Sequence, residues 1–190
     1  MLSKYRDECK RFLFKFLQGV KTVVYGILLG MNMRFSVVLV RPEIPHNTGA
    51  AGRLAVATDA RLHLIKPLGF SLDEKHVRRT GLDYWQYVDL HLWDSLEALE
   101  TTAEPGARFW YLSTKATHSI WEPTLPLQDG DYLVFGPESK GLPERWIDAH
   151  PETALRIPMP GERARSLNLS TSSAIMLYEG LRRTLPAGQL

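Results

Sequence analysis

The sequence predicts an α/β protein with a mostly parallel sheet flanked by helices. Five short runs rich in apolar, β-branched and aromatic residues carry that expectation: FSVVLV (35–40), RLHLIK (61–66), RFWYLS (108–113), DYLVFG (131–136) and ALRIPM (154–159). All have strand length and strand composition. Most are continuous rather than alternating, as strands buried on both faces of a parallel sheet should be. Segments with helical spacing separate them, which completes the alternation of a layered α/β fold.

Taken in order, the first helix is expected at 47–59, with Asn47 and Thr48 as caps and Leu54, Ala55 and Thr58 at helical spacing. Shorter helices are expected near 73–80, 94–100 and 143–149. The last, at 168–184, places Ala174, Leu177, Tyr178 and Leu181 on one stripe. The composition supports a soluble core: 44% of the 190 residues are hydrophobic and 23% charged. A single cysteine, Cys9, excludes a disulfide framework and suits a reducing, cytoplasmic setting. The six histidines are scattered without metal-ligand spacing, so no metal is expected.

Residues 1–33 read differently from the rest. They hold six basic and two acidic side chains, whereas the remainder holds 17 basic and 19 acidic. Their uncharged run, Thr22 to Met33, has 12 residues. A membrane-spanning helix needs roughly 18–20. The segment is expected to be an N-terminal extension outside the fold, without stable membrane association, and residues 34–190 to form the functional domain. A peripheral amphipathic anchor is the alternative. Because the domain itself is not globally basic, nucleic acid would have to bind through local patches.

In open α/β sheets ligands sit beyond the carboxyl ends of the strands. Three loops in that position stand out. RPEIPHNTGAAGRL, after the first run, starts a helix made thin by Gly49, Ala50, Ala51 and Gly52, with Arg53 about a turn and a half in. Thinness admits close approach to the helix backbone. A tightly packed helix with a surface arginine is the plainer account.

FGPESKGLP (135–143) has the glycine spacing of a phosphate loop, but Leu142 and Pro143 stand where Lys and Ser/Thr are required. What remains is a rigid turn bearing one carboxylate, Glu138, with Gly136 leaving backbone exposed to an adenine-sized ligand. RIPMPGERARSLNLSTSSA (156–174) crowds Ser166, Asn168, Ser170, Thr171, Ser172 and Ser173 at a helix mouth. One capping residue explains two of these at most.

N-T-G-x-x-x-R, F-G-P-E-x-x-G-L-P and I-P-M followed by S-L-N-L-S, in that order, resemble the SPOUT class of S-adenosylmethionine-dependent RNA methyltransferases. The subgroup most resembled 2′-O-methylates the wobble ribose, at cytidine-34 or uridine-34, of leucine tRNAs; RRTGLDYW (78–85) fits it too. The resemblance covers roughly residues 35–184. It implies a SPOUT fold with a C-terminal trefoil knot, a homodimer with the site completed across the interface, and S-adenosyl-L-methionine as cofactor.

By the same resemblance Arg53, Asn47, Glu138 and Asn168 form the catalytic set, with Arg53 stabilising or generating the reacting alkoxide. Leu112, Gly136, Ile157, Ser166 and Asn168 fall where the family contacts its cofactor, and Ser113 and Thr114 border it. The sequence departs from the family pattern at His46, at Ala50 and in a loop one residue longer before Ser166.

For an anticodon stem-loop, Lys75, His76, Arg78, Arg79, Arg163 and Arg165 are candidate phosphate contacts, although a solvated charged helix face explains each equally well. Tyr84 and Trp85 could stack a base; core or dimer packing is the simpler expectation. Two other readings stand beside this one. One is a ribose methyltransferase for another tRNA or rRNA position. The other is a noncatalytic knotted RNA-binding protein.

Overall fold

The computed structural model describes residues 35–72 and 84–185. The expectations for 1–33, for a helix near 73–80 and for Lys75, His76, Arg78 and Arg79 lie outside the described residues. Seven strands form one sheet: β1 (Phe35–Val40), β2 (Arg61–Ile65), β3 (Leu90–Trp93), β4 (Phe109–Leu112), β5 (His118–Ser119), β6 (Asp131–Phe135) and β7 (Ala154–Arg156). Their spatial order is β3-β2-β1-β6-β4-β7-β5. Every pairing is parallel. All carboxyl ends of the strands therefore open on one edge of the sheet.

The helices are α1 (Pro45–Thr58), α2 (Leu96–Thr102), α3 (Glu144–Ala149) and α4 (Leu169–Thr184), with a 3-10 turn at Trp85–Tyr87. The continuous apolar runs follow from cover on both faces. In β1, Val37 and Leu39 join Ala51 and Ala55 of α1 and Met176, Leu177 and Leu181 of α4. Val38 and Val40, pointing the other way, join Leu96 and Leu99 of α2 and Ile147 of α3. A leucine with 0% exposure, such as Leu177, contributes about 2 kcal/mol of transfer free energy.

Three expectations change. α1 starts at Pro45, not at a polar cap, and its N-cap Ile44 makes no side-chain cap bond. Proline is preorganised for a first helical position, so Asn47 and Thr48 fall inside the helix. The Asn47 side chain is then free for other partners, while the Thr48 hydroxyl is buried without one.

The second change concerns the stripe on α4. It buries Leu169, Ser173, Met176, Leu177, Gly180 and Leu181, whereas Tyr178 is 55% exposed. The third is β7, which ends at Arg156, because the prolines at 158 and 160 cannot donate to a ladder. Strands β3 and β5, unanticipated, flank the sheet.

Two polar clusters sit away from the carboxyl edge. His63 is buried on the second face, its Nδ1 accepting a hydrogen bond from Trp93 Nε1 at 3.0 Å. Burial above all, then the His91 and Arg61 charges, lowers its pKa to about 3. The ring is therefore neutral near pH 7. Arg183 on α4 donates to the carbonyls of Ile120, Glu122, Pro123 and Leu125 and to the Glu179 carboxylate. It fastens the 120–125 loop to the helix. Among the described residues, no helix is long and apolar enough to cross a membrane.

Candidate functional site

At the carboxyl edge, the loops leaving β4, β6 and β7 close around a cavity of about 420 Å³, within the range of small-molecule sites. Leu112 ends β4, Gly136 and Glu138 follow β6, Ile157 follows β7, and Ser166 and Asn168 lead into α4; all line it. Asn47 reaches it from α1. Ser113, Thr114 and Ser172 add hydroxyls, and Lys115 and Lys140 add ammonium groups.

Gly136 is required by the chain's own packing. A Cβ there would stand 2.2 Å from the backbone of Gly141 and Leu142. The expectation that its missing side chain serves a ligand is thus incomplete: the same loop folds back into that space. Only glycine lets the loop turn so tightly and still reach the cavity.

One hydrogen-bond chain ties three distant segments together. Asn168 Nδ2 donates to Asn47 Oδ1 at 2.9 Å, across 121 residues. Asn47 Nδ2 donates to Glu138 Oε1 at 2.9 Å. Glu138 also accepts from the backbone N–H groups of Glu43, at 2.8 Å, and Ile44, at 3.2 Å. In return the Glu43 carboxylate accepts from Ser139 N, at 2.9 Å, and Ser139 Oγ, at 2.7 Å.

Asn168 is at the same time the N-cap of α4, its Oδ1 accepting from Ser170 N at 2.9 Å and Thr171 N at 3.3 Å. Glu138 thus accepts three hydrogen bonds from protein donors, which fix its carboxylate in place. Each asparagine amide retains a second N–H.

The structure thus brings Asn47, Leu112, Gly136, Glu138, Ile157, Ser166 and Asn168 together as expected. It does not bring Arg53 to them. Arg53 is exposed on α1, outside the cavity lining, with its guanidinium carbon 4.6 Å from the centroid of the Tyr84 ring. Arg163 and Arg165 are exposed on the loop before Ser166 and also stand outside the lining.

The thin face of α1 receives protein, not ligand. A Cβ on Gly52 would meet the Trp85 ring at 2.5 Å. Trp85, partly buried, packs against this helix, the simpler of the two roles expected of it. Sequence reasoning missed Glu43, whose bracket on Ser139 has no local signature. It also missed Lys115 and Lys140, which read as ordinary surface lysines. Among the described residues no group of acidic, histidine or cysteine side chains could hold a metal ion.

Known proteins resemble this chain over most of its length. A tRNA (cytidine(34)-2'-O)-methyltransferase from Methylovorus glucosotrophus is 48% identical over 152 residues, covering 78% of this chain and 95% of that protein. A solved structure from work on the 2-OH methylation of C/U34 on tRNA superposes with a TM-score of 0.73 at 44% identity, over 80% of this chain and 97% of the other. An AdoMet-bound rRNA methyltransferase from Sinorhizobium meliloti shares the fold, with a TM-score of 0.67 at 24% identity over 82% of this chain and 59% of that one. The SpoU rRNA Methylase family matches residues 34–178, the stretch that carries the sheet and the cavity, and the chain belongs to this family.

Proposed function

We propose that this protein is an S-adenosyl-L-methionine-dependent tRNA (cytidine(34)/uridine(34)-2'-O)-methyltransferase acting on the wobble ribose of leucine tRNAs. The observation that carries the reading is the Asn168–Asn47–Glu138 chain, which fixes three loops around one cavity at the carboxyl edge of a parallel sheet. The cavity suits the cofactor by its own chemistry. Leu112 and Ile157 offer apolar flanks for a flat base, backbone groups follow Gly136, and the hydroxyls of Ser113, Thr114, Ser166 and Ser172 offer hydrogen bonds.

When bound, the cofactor supplies a methyl group on a positively charged sulfur. The chain's own part is orientation and charge. Transfer needs the ribose oxygen aligned with methyl and sulfur, which a cavity held by three loops provides. A guanidinium is too basic to take up a proton at neutral pH, but beside the hydroxyl it favours the deprotonated oxygen electrostatically.

Arg53 is that group in this reading. Its position outside the cavity of its own chain supports a homodimer in which Arg53 serves the site of a second copy. The reading further takes residues 34–190 as the catalytic domain, with 1–33 appended to it. It includes a C-terminal trefoil knot, Arg163 and Arg165 as contacts to the anticodon stem-loop, and a cytoplasmic location.

The test is to incubate the purified protein with labelled cofactor and unmodified or native tRNA, then map the methylated ribose. Methylation of nucleotide 34 in leucine tRNAs is the expected outcome. A methyl group at another tRNA position or on rRNA would replace the substrate assignment. Failure to bind cofactor by calorimetry would favour a noncatalytic RNA-binding role.

A further inference from the structure

We propose that Tyr84 is a positioning residue for Arg53, presenting its guanidinium in the orientation that methyl transfer uses. The inference rests on the reading of Arg53 as the group that favours the deprotonated sugar hydroxyl. Arg53 is an exposed arginine on α1 and forms no ion pair among the described residues. A free arginine side chain loses about 2 kcal/mol of rotamer entropy when it is fixed. A group acting at one point on a substrate therefore benefits from being fixed beforehand.

Among the described residues the guanidinium rests on the Tyr84 ring, its carbon 4.6 Å from the ring centroid. That ring is itself held. Its hydroxyl donates to the Gly49 carbonyl at 3.1 Å, one turn before Arg53 on the same helix. Its chain neighbour Trp85 lies against Gly52, so closely that a Cβ there would come within 2.5 Å. The Tyr84–Trp85 pair is thus seated on α1 at two points, and a face of the Tyr84 ring is offered to Arg53.

An aromatic face suits this task better than a carboxylate. It attracts the cation through the ring quadrupole without neutralising it. It also leaves the in-plane N–H donors of the guanidinium free for substrate oxygens. An aspartate in the same place would consume two of those donors and cancel the charge the reaction needs.

The hydroxyl and the ring make separable contacts, and the experiment exploits that. Turnover, KM for tRNA, cofactor affinity and Tm are measured for the full chain and for Arg53→Ala, Tyr84→Phe and Tyr84→Leu. Tyr84→Phe loses the Gly49 hydrogen bond but keeps the ring face and its Trp85 anchor, so its Tm falls and its kcat falls severalfold less than that of Tyr84→Leu. Tyr84→Leu keeps apolar bulk but loses the ring face, so kcat falls roughly tenfold with cofactor affinity unchanged.

Should Tyr84→Leu fail to fold, a series of progressively fluorinated phenylalanines at position 84 weakens the negative ring face at nearly constant shape. A graded fall in kcat at constant Tm is expected there. Equal kcat for the Phe and Leu variants, or for the fluorinated series, overturns the proposal while Arg53→Ala remains inactive. Near-normal turnover of Arg53→Ala instead overturns the reading of Arg53 on which the proposal rests.

Discussion

Strand β6 carries a carboxylate near each end, and the two are used in opposite ways. Asp131, at its start, is 1% exposed and accepts from Arg108 Nε and Nη2, Trp110 Nε1 and the Gln128 backbone N–H. Those donors lie 3 to 23 residues away in sequence. Glu138, just past its end, is only partly buried and draws its partners from 91 to 95 residues away. The first network is closed: its acceptors face the protein's own donors, with nothing left to offer. The second hands its order on through Asn47 and Asn168 to amide N–H groups at the rim of a cavity. A closed polar network holds a fold together, and an open one holds a site in shape.

Substitutions at three positions would break or sharpen that contrast. The largest effect should come from Asp131→Ala, which leaves a largely buried guanidinium and an indole N–H without their acceptor. We expect a loss of about 3 kcal/mol in chemical denaturation, with unchanged cofactor affinity for the folded fraction. Glu138→Gln should reverse the pattern. Its new amide donor opposes either the Glu43 N–H, or the Ile44 N–H and the Asn47 amide, and so loosens the loop; calorimetry should show affinity falling about tenfold while stability changes by about 1 kcal/mol or less. A stability loss as large as that of Asp131→Ala would mean that both networks are structural.

The smallest effect, and the sharpest, belongs to Asn168. Asn168→Ala should cost about 1 kcal/mol through the lost helix cap. Asn168→Asp restores the cap acceptor but sets a carboxylate against Asn47 Oδ1. Melting should therefore recover while cofactor binding stays severalfold weaker. Recovery of both would reduce Asn168 to a cap.

The layered sheet was legible because its strands are buried on both faces and read as unbroken apolar runs. Phe35–Val40 matches the expected span residue for residue. Strand β3 was not legible. Its Leu90-His91-Leu92-Trp93 run sits at the sheet edge with Leu92 48% exposed, and such mixed surfaces carry little pattern.

The convergence of Asn47, Glu138 and Asn168 came from family resemblance, since local spacing alone offers each asparagine only a capping role. For Asn168 that role is also correct; for Asn47 proline preorganisation took it over. The thin face of α1 was read correctly as a place of close approach, with its occupant left open. Its occupant, Trp85, lies more than thirty positions downstream, and no local rule links the two. Arg53 illustrates the same limit, because a motif gives its place in the chain and not its distance from the cavity.

The hydrogen bond joining Asn168 to Asn47 carries a consequence for how the protein comes into being. Its first partner leaves the ribosome 121 residues before its second. The chain therefore has no finished pocket for most of its own synthesis, even while β1 and β2 are available to pair. The cavity gains its full lining only after the segment that carries Asn168 has emerged, so a product truncated before that residue lacks this pocket.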